Sequence, residues 1–413
     1  MSPFEIISWS IVIAFVVVLG ITILGMVGLI KFKHEEHLKK LVVLLVFEIV
    51  GVGFLIYKEG KDDHAIYLRE AQSRYVLAKR MSEENKYDEA LRELSGILQL
   101  DLQEGVFHVK DVFITRGDIL FNRKSYADSI IPYAVYNEIV TNDAQALARY
   151  GRALRHVHRY DEAMKIYERA LALEPNDYYI LNGLQNCIRR QAGFFLEAGR
   201  KEAATAYFDE ARKHIVSMQN IAQTATENRD RKMLNAELAM ARLNWQWERY
   251  AEAIALLEEI KRNYPDYSAA QEDLAAIYLE YGRHISNQSY IEKSVVHYED
   301  IYSSLSTDHD KIFIGAGLAE AIANLDNPSG EQVETARNAV LLSIAKNSEV
   351  EDDPYPFYAA AILFYKIGEL AEAKKYIKEA IFSERRRADN PYTFDYVRLV
   401  EYEKLQQKWS PDA

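Results

Sequence analysis

Cysteine is nearly absent: Cys187 is the single one in 413 residues. A disulfide framework and a four-cysteine metal site are therefore excluded. Glycine and proline are also sparse, at 18 and 9. With Ala, Leu, Glu and Tyr abundant, that scarcity fits an all-α protein. There is no basic excess, since 50 Lys and Arg face 62 Asp and Glu for a net charge of −12. Within residues 1–57, Lys31, Lys33, Lys39 and Lys40 balance Glu5, Glu35, Glu36 and Glu48, so the negative charge lies in 58–413. An acidic domain of that kind is a poor general binder of nucleic acid or anionic lipid. The chain has neither a GxxxxGK[ST] loop nor a GxSxG elbow. Its carboxylates fall at helical spacing, as solvated faces do. No catalytic constellation, cofactor or metal site is expected, and the chain does not read as an enzyme.

What is present begins with an uncharged run, Ile6 to Ile30. At about 1.5 Å per residue these 25 positions can cross a hydrocarbon core of about 30 Å with some tilt. No basic segment precedes the run and no small-x-small site ends it, so it reads as an anchor and not a cleaved leader. A loop, Lys31 to Lys40, leads to a second apolar run from Leu41 to Tyr57, interrupted only by Glu48. The two form an expected transmembrane hairpin within residues 1–60. Four lysines in the loop, against none in Met1 to Glu5, place the loop in the cytoplasm and the rest of the chain in the periplasm of a bacterial-type inner membrane. Lys58, Lys61, Arg69 and Arg74 argue for the alternative, a cytoplasmic domain.

From about Asp62 the pattern is helical. In Ala144 to Pro175, Leu147, Tyr150, Gly151 and Leu154 fall at positions 4, 7, 8 and 11 of a 34-residue unit, and Ala163, Tyr167, Ala170 and Pro175 at 20, 24, 27 and 32. Two amphipathic helices joined near His158 to Asp161 follow from the apolar spacing alone. The segment resembles a tetratricopeptide repeat (TPR). A turn residue followed three places later by a small one recurs at Tyr87/Ala90, Tyr126/Ser129, Lys201/Ala204, Tyr250/Ala253, Ile291/Ser294, Val333/Ala336 and Leu370/Ala373. With Tyr160/Ala163 this gives about eight helical hairpins, a right-handed α-solenoid over 61–390, closed by a capping helix in 391–413. Most spacings exceed 34 and need longer helices or loops, and insertions near Gln219 to Arg231, Gly282 to Ser289 and Asn324 to Glu331 are expected to absorb the excess. Whether the weak sixth and seventh repeats stack regularly or separate two subdomains stays open. Tyr133, Tyr167, Phe208 and Tyr298 occupy the packing position 24.

Several motifs dissolve in this frame. Ile312 to Gly317, IFIGAG, mimics the start of a dinucleotide site, but Gly315 falls at a packing position of the seventh repeat. His34 and His37 are three apart, not four as in a zinc protease helix. Cys187 reads as a buried small hydrophobe. Glu48 does not dissolve: an ionised carboxylate in mid-membrane costs about 2.5–3.5 kcal/mol on insertion scales. Three readings of it stay open: a hydrogen bond to Ser8, Ser10 or Thr22, contact with an integral membrane partner, or proton handling.

The resemblance implies that the first helix of each repeat lines a groove. Carried over, its groove positions are Arg149, Arg152, Arg155 and His156 in the third repeat. In the fourth they are Tyr179, Asn182, Asn186, Arg189 and Arg190, and in the fifth Arg242 and Trp245. Such a basic, amide-rich strip suits acidic or extended segments of a protein partner. The carboxylate clamp of some family members has Lys and Asn where this chain has Ala148 and Arg152. A C-terminal carboxylate as ligand does not follow. The expectation is a membrane-anchored scaffold or adaptor for a cell-envelope complex; the alternative is an integral subunit of a membrane machine with Glu48 in its working interface. Homo-oligomers are compatible with both.

Overall fold

The structure is a computed structural model, and it describes residues 67–98, 109–307, 310–347, 353–387 and 396–409, with Gly20 isolated from them. The two N-terminal apolar runs and Glu48 lie outside the described residues. Among the described residues no helix is long and apolar enough to cross a membrane. Those residues form 17 helices and no strand. The chain divides into two compact units, Met1–Arg123 and Lys124–Ala413. The division falls in the turn of the expected second hairpin.

The first unit holds α1 (67–83), α2 (Tyr87–Leu98) and α3 (Val109–Asn122). Its core is Ala71, Ala78, Ala90, Leu94, Ile97, Val112 and Ile119. The second unit opens with α4 (Tyr126–Ile139), followed by α5 (Ala144–His156) and α6 (Tyr160–Leu173). Next come α7 (Tyr178–Glu197) with α8 (Lys201–Thr224), and α9 (Arg229–Gln246) with α10 (Tyr250–Asn263). The pairs α11 (Ser268–His284) with α12 (Gln288–Ser304) and α13 (Lys311–Ala323) with α14 (Gly330–Ala345) follow. The last pair is α15 (Tyr355–Lys366) with α16 (Leu370–Arg386), and α17 (Tyr396–Trp409) ends the unit. Each odd-numbered helix from α5 to α13 packs on the next odd one, so the first helices of successive hairpins form one continuous face.

The turns explain why hairpins form at these places. Asn85, Lys124, His158, Gly199, Glu248, Ser286 and Gly368 all have φ between 52° and 84°, each two residues before an even-numbered helix. The amide after the left-handed residue reaches back to the carbonyl five residues earlier. Arg159 N bonds Leu154 O at 3.0 Å, Arg249 N bonds Asn244 O at 2.8 Å, and Glu369 N bonds Phe364 O at 2.8 Å. This is the 6→1 closure that satisfies the carbonyls orphaned at a helix end. The turn before α14 differs. There Ser329 and Gln332 form a capping box, with Gln332 N donating to Ser329 Oγ at 3.1 Å and Ser329 N to Gln332 Oε1 at 3.0 Å.

Packing then follows the repeat positions. The eight small residues of the turn marker are at most 1 % exposed. Tyr133, Tyr167, Phe208 and Tyr298 are buried as expected. A Cβ on Gly151 would lie 3.0 Å from the Tyr167 ring, and one on Gly183 only 2.4 Å from it. Tyr298 fits against Gly317 in the same way, at 2.5 Å, and a Cβ on Gly315 would meet Ser343 Oγ at 2.8 Å. The glycines of IFIGAG are thus packing glycines. Cys187 is fully buried, which pushes its thiol up to about 12.

Two of the three expected insertions are taken up largely by longer helices. Gln219–Thr224 continues α8, which reaches 24 residues, because Ala211, Ile215, Met218 and Ala222 extend one fully buried stripe. Gly282–His284 likewise completes the 17-residue α11. Only Asn324–Ser329 is a true longer loop. The sixth and seventh repeats stack without a break, since one core cluster runs from Ala275 to Trp409. Glu320, buried on α13, ties this region together by accepting from Arg283 Nη1 at 2.8 Å and Tyr355 OH at 2.9 Å. Helix α17 seals the end, with Tyr402 stacked on Tyr358 at 5.1 Å and Trp409 on Tyr365 at 4.5 Å.

Left-handed backbone costs an L-residue about 1–2 kcal/mol, partly offset by the greater freedom glycine has when unfolded. Ser286 is exposed with φ 52°. Ser286→Gly should therefore stabilise the protein by about 0.5–1 kcal/mol. Urea unfolding of the second unit measures this; a loss of stability would show that the turn is not held as described.

Candidate functional site

The first-helix face is built from α5, α7, α9 and α11. Helix α5 starts at Asp143, whose carboxylate accepts from Ala146 N at 2.9 Å, and α7 starts at Asp177, which accepts from Ile180 N at 2.8 Å. These caps fix where the polar strip begins. On α5, Arg149 and Arg152 are exposed, while Arg155 is half-buried with its Nε enclosed and without a hydrogen-bond partner among the described residues. Burial raises the Tyr167 phenol, and Arg155 works against that rise. His156 turns away from the strip to stack on Tyr126 at 4.2 Å. Burial, followed by the charges of Arg155 and Arg152, holds its imidazole down to about 4, so it is neutral at physiological pH.

On α7 the polar residues bind one another. Asn182 Oδ1 accepts from Gln185 Nε2 at 2.9 Å and from Asn186 Nδ2 at 3.3 Å, and Asn186 Nδ2 also donates to Asn182 O at 2.9 Å. Arg189 Nη2 donates to Asn186 Oδ1 at 3.2 Å, and its Nη1 to Gln246 Oε1 at 2.5 Å. Arg189 is only 6 % exposed, and its Nε has no hydrogen-bond partner among the described residues. Burial first, then repulsion from Arg190 and Arg242, lowers its guanidinium to about 9, which leaves it charged at neutral pH. Arg190 is exposed and makes no ion pair among the described residues. Tyr179, at 64 % exposure, projects into solvent.

On α9, Arg242 is committed to Asp273 of α11, through Nε at 2.6 Å and Nη2 at 3.3 Å. Trp245 Nε1 and Tyr250 OH both donate to Glu280, at 2.9 and 2.8 Å. A cavity of about 700 Å³ opens among these groups, lined by Arg189, Arg190, Arg242, Asp273, Glu280 and, from α17, Arg398.

The sequence-predicted residues thus separate. Arg149, Arg152 and Arg190 are exposed; Asn182 and Asn186 spend part of their bonding on each other; Arg242 is paired with Asp273; Arg189 is enclosed rather than displayed. Repeat position marks the face a residue lies on but not its depth, and α7 is flanked by α5, α8 and α9. Gln246, Asp273, Glu280 and Arg398 escaped the sequence reading. Arg398 carries no repeat signal, because α17 is outside the repeat pattern.

A family model, described as the ARM repeat of tetratricopeptide repeat protein 21, matches residues 144–292. Over that segment the chain is similar to a tetratricopeptide repeat protein. Among solved structures, a TPR protein from Parabacteroides merdae is similar over 82 % of this chain and 99 % of its own, at 10 % identity and a TM-score of 0.44. The Cut9–Hcn1 hetero-tetramer of the APC/C is similar over 92 % of this chain and 60 % of that one, at 12 % identity and a TM-score of 0.46. PilW, a type IV pilus biogenesis factor, is similar over 60 % and 97 %, at 15 % and 0.36. Comparison with curated protein sequences gives no match.

Within this first-helix face, Arg189 is the residue whose placement runs against stability. A buried charge without a carboxylate in contact is unfavourable, and an apolar side chain of similar volume is commonly neutral or stabilising there. Arg189→Met is expected to leave the thermal midpoint unchanged or raised. A loss above about 2 kcal/mol would instead mark Arg189 as a structural hydrogen-bond donor.

Proposed function

We propose that this TPR protein is a non-catalytic, membrane-anchored scaffold that gathers protein partners on its first-helix face and supports assembly or positioning of a cell-envelope complex. The observation that carries the binding reading is Arg189. Its guanidinium is buried beside a cavity of about 700 Å³, with Nε unpartnered among the described residues and Arg190 adjacent. A donor set of this kind suits the carboxylates and carbonyls of an acidic, extended segment. The anchoring half rests on the apolar runs Ile6 to Ile30 and Leu41 to Tyr57, with the periplasm as the proposed side for the repeats. A weak groove on a membrane tether raises effective concentration without either contact being tight.

A fluorescein-labelled hexaglutamate peptide tests the groove, with hexaglutamine as the uncharged control. Binding of hexaglutamate should weaken at least about tenfold in Arg149→Glu combined with Arg190→Glu, equivalent to about 1.4 kcal/mol, with helicity unchanged by circular dichroism. Both substituted residues are exposed, so the fold should tolerate them. Equal affinity in the double variant would refute groove recognition.

Glu48 favours a second reading, in which the chain is an integral subunit of a membrane machine. Glu48→Gln keeps the shape and removes the charge. Lost activity of the machine with intact co-purification supports that reading; full activity with normal co-purification sinks it and leaves the scaffold.

A further inference from the structure

We propose that the outer face of α1 docks on the bilayer surface, with Val76 and Leu77 entering the headgroup boundary and Arg69 and Arg80 meeting anionic lipid phosphates. This rests on the anchoring half of the reading above and adds a second membrane contact, made by the first unit.

The inner side of α1 is accounted for. Ala71 and Ala78 are fully buried in the core of the unit, and Tyr75 OH and Thr115 Oγ1 are hydrogen-bonded at 3.0 Å. Arg74, on the flank, is held by Glu70 at 2.8 Å and Glu93 at 3.2 Å. The opposite side is open. Arg69, Ser73, Val76 and Arg80 are all exposed, and their spacing of i, i+4, i+7 and i+11 puts them on one line along the helix. Leu77 stands beside that line. At 50 % and 38 % exposure, Val76 and Leu77 are two adjacent apolar side chains in the open, with an arginine at each end of the line. Neither Arg69 nor Arg80 forms an ion pair among the described residues. The acid one turn beyond Arg80, Glu84, accepts from Lys86 Nζ at 2.6 Å.

Chain connectivity says what covers this face. Only residues 58–66 separate Tyr57, where the second apolar run ends, from the start of α1 at Tyr67. Fully extended, that link spans at most about 35 Å. On the anchoring reading α1 therefore stays near the membrane, and its contact with lipid is effectively intramolecular. Charge is favourable on the face alone. The link carries Lys58 and Lys61 against Glu59, Asp62 and Asp63, whereas the outer side of α1 carries Arg69, Lys79 and Arg80 against Glu83. The acidic repeats repel the same lipids, so the attraction is confined to this helix and depends on the tether. Arginine suits the place, because its stem lies along apolar surface while the guanidinium stays at phosphate level.

The test uses the full chain in vesicles of equal phosphatidylcholine and phosphatidylglycerol, with an environment-sensitive fluorophore on Val76→Cys. Cys187 is fully buried and stays unlabelled. The label should be quenched by spin-labelled lipid and shielded from aqueous iodide. Arg69→Gln combined with Arg80→Gln should weaken docking at least about tenfold, since one cation near an anionic surface is worth about fivefold. Both residues are exposed, so helicity should not change. Vesicles of phosphatidylcholine alone should weaken docking likewise. Carbonate extraction of the same vesicles reads the anchor separately. If the chain resists extraction while the label stays open to iodide, the inference is overturned and the anchor stands. Docking that ignores both lipid charge and the double substitution overturns it too, as does shielding that appears only when a protein partner is added. If carbonate extracts the chain, the anchoring reading falls and this inference with it.

Discussion

The ring of Tyr167 occupies space left by two missing Cβ atoms, those of Gly151 on α5 and Gly183 on α7. It is the joint on which the early part of the second unit depends. One aromatic from a second helix wedges between the first helices of its own and the next repeat, and the closeness of α5 to α7 is set by that wedge. Tyr298 repeats the device against Gly317. A hairpin cannot bury both faces of two helices by itself, so each needs this contact with its neighbour. With the first helices locked side by side, their outward positions line up, and that alignment places Arg149, Arg152, Arg189 and Arg190 on one face.

Two buried polar clusters in the second unit show opposite logic. Around Glu320 every strong group has found its counterpart: Arg283 supplies charge and Tyr355 a hydroxyl, from the helices on either side. Burial still raises the Glu320 carboxyl, with Arg283 the chief opposing influence. That is a structural tie, satisfied within the chain. Around Arg189 the partners are neutral amides, the nearby charges that dominate are Arg190 and Arg242, and one donor is left over. The first cluster is completed within the chain and the second is not, which is the observation behind the proposed site.

Much of the fold was legible because repeats write the same physics several times. The eight turn markers each precede a buried small residue, and six of the even-numbered helices, α14 and α12 excepted, begin at the marker itself. Cys187 and the glycines of IFIGAG were read correctly because repeat position assigns them to packing. What the pattern missed are quantities that period does not encode. Helix length was one: the spacing left open whether a longer helix or a loop takes up the excess, and the buried stripe through Ile215, Met218 and Ala222 makes it a helix. Depth was another, as Arg189 and Arg190 are adjacent in sequence and equally polar, yet one is enclosed and the other open.

Curvature is the property furthest from the sequence, and it decides what the face can hold. Each hairpin adds a small rotation fixed by side chains at its joints, and only the sum brings α17 opposite α7. Residues such as Arg398 therefore acquire a place in the cavity from the geometry of every joint between, not from their own neighbourhood. The same accumulation makes the site sensitive to substitutions far from it. Gly317, packed on Tyr298, and Glu320, bonded to Arg283 and Tyr355, lie at such joints outside the cavity lining. In a stacked repeat domain, distant packing sets the width of the groove, and the charged residues set only what the groove attracts.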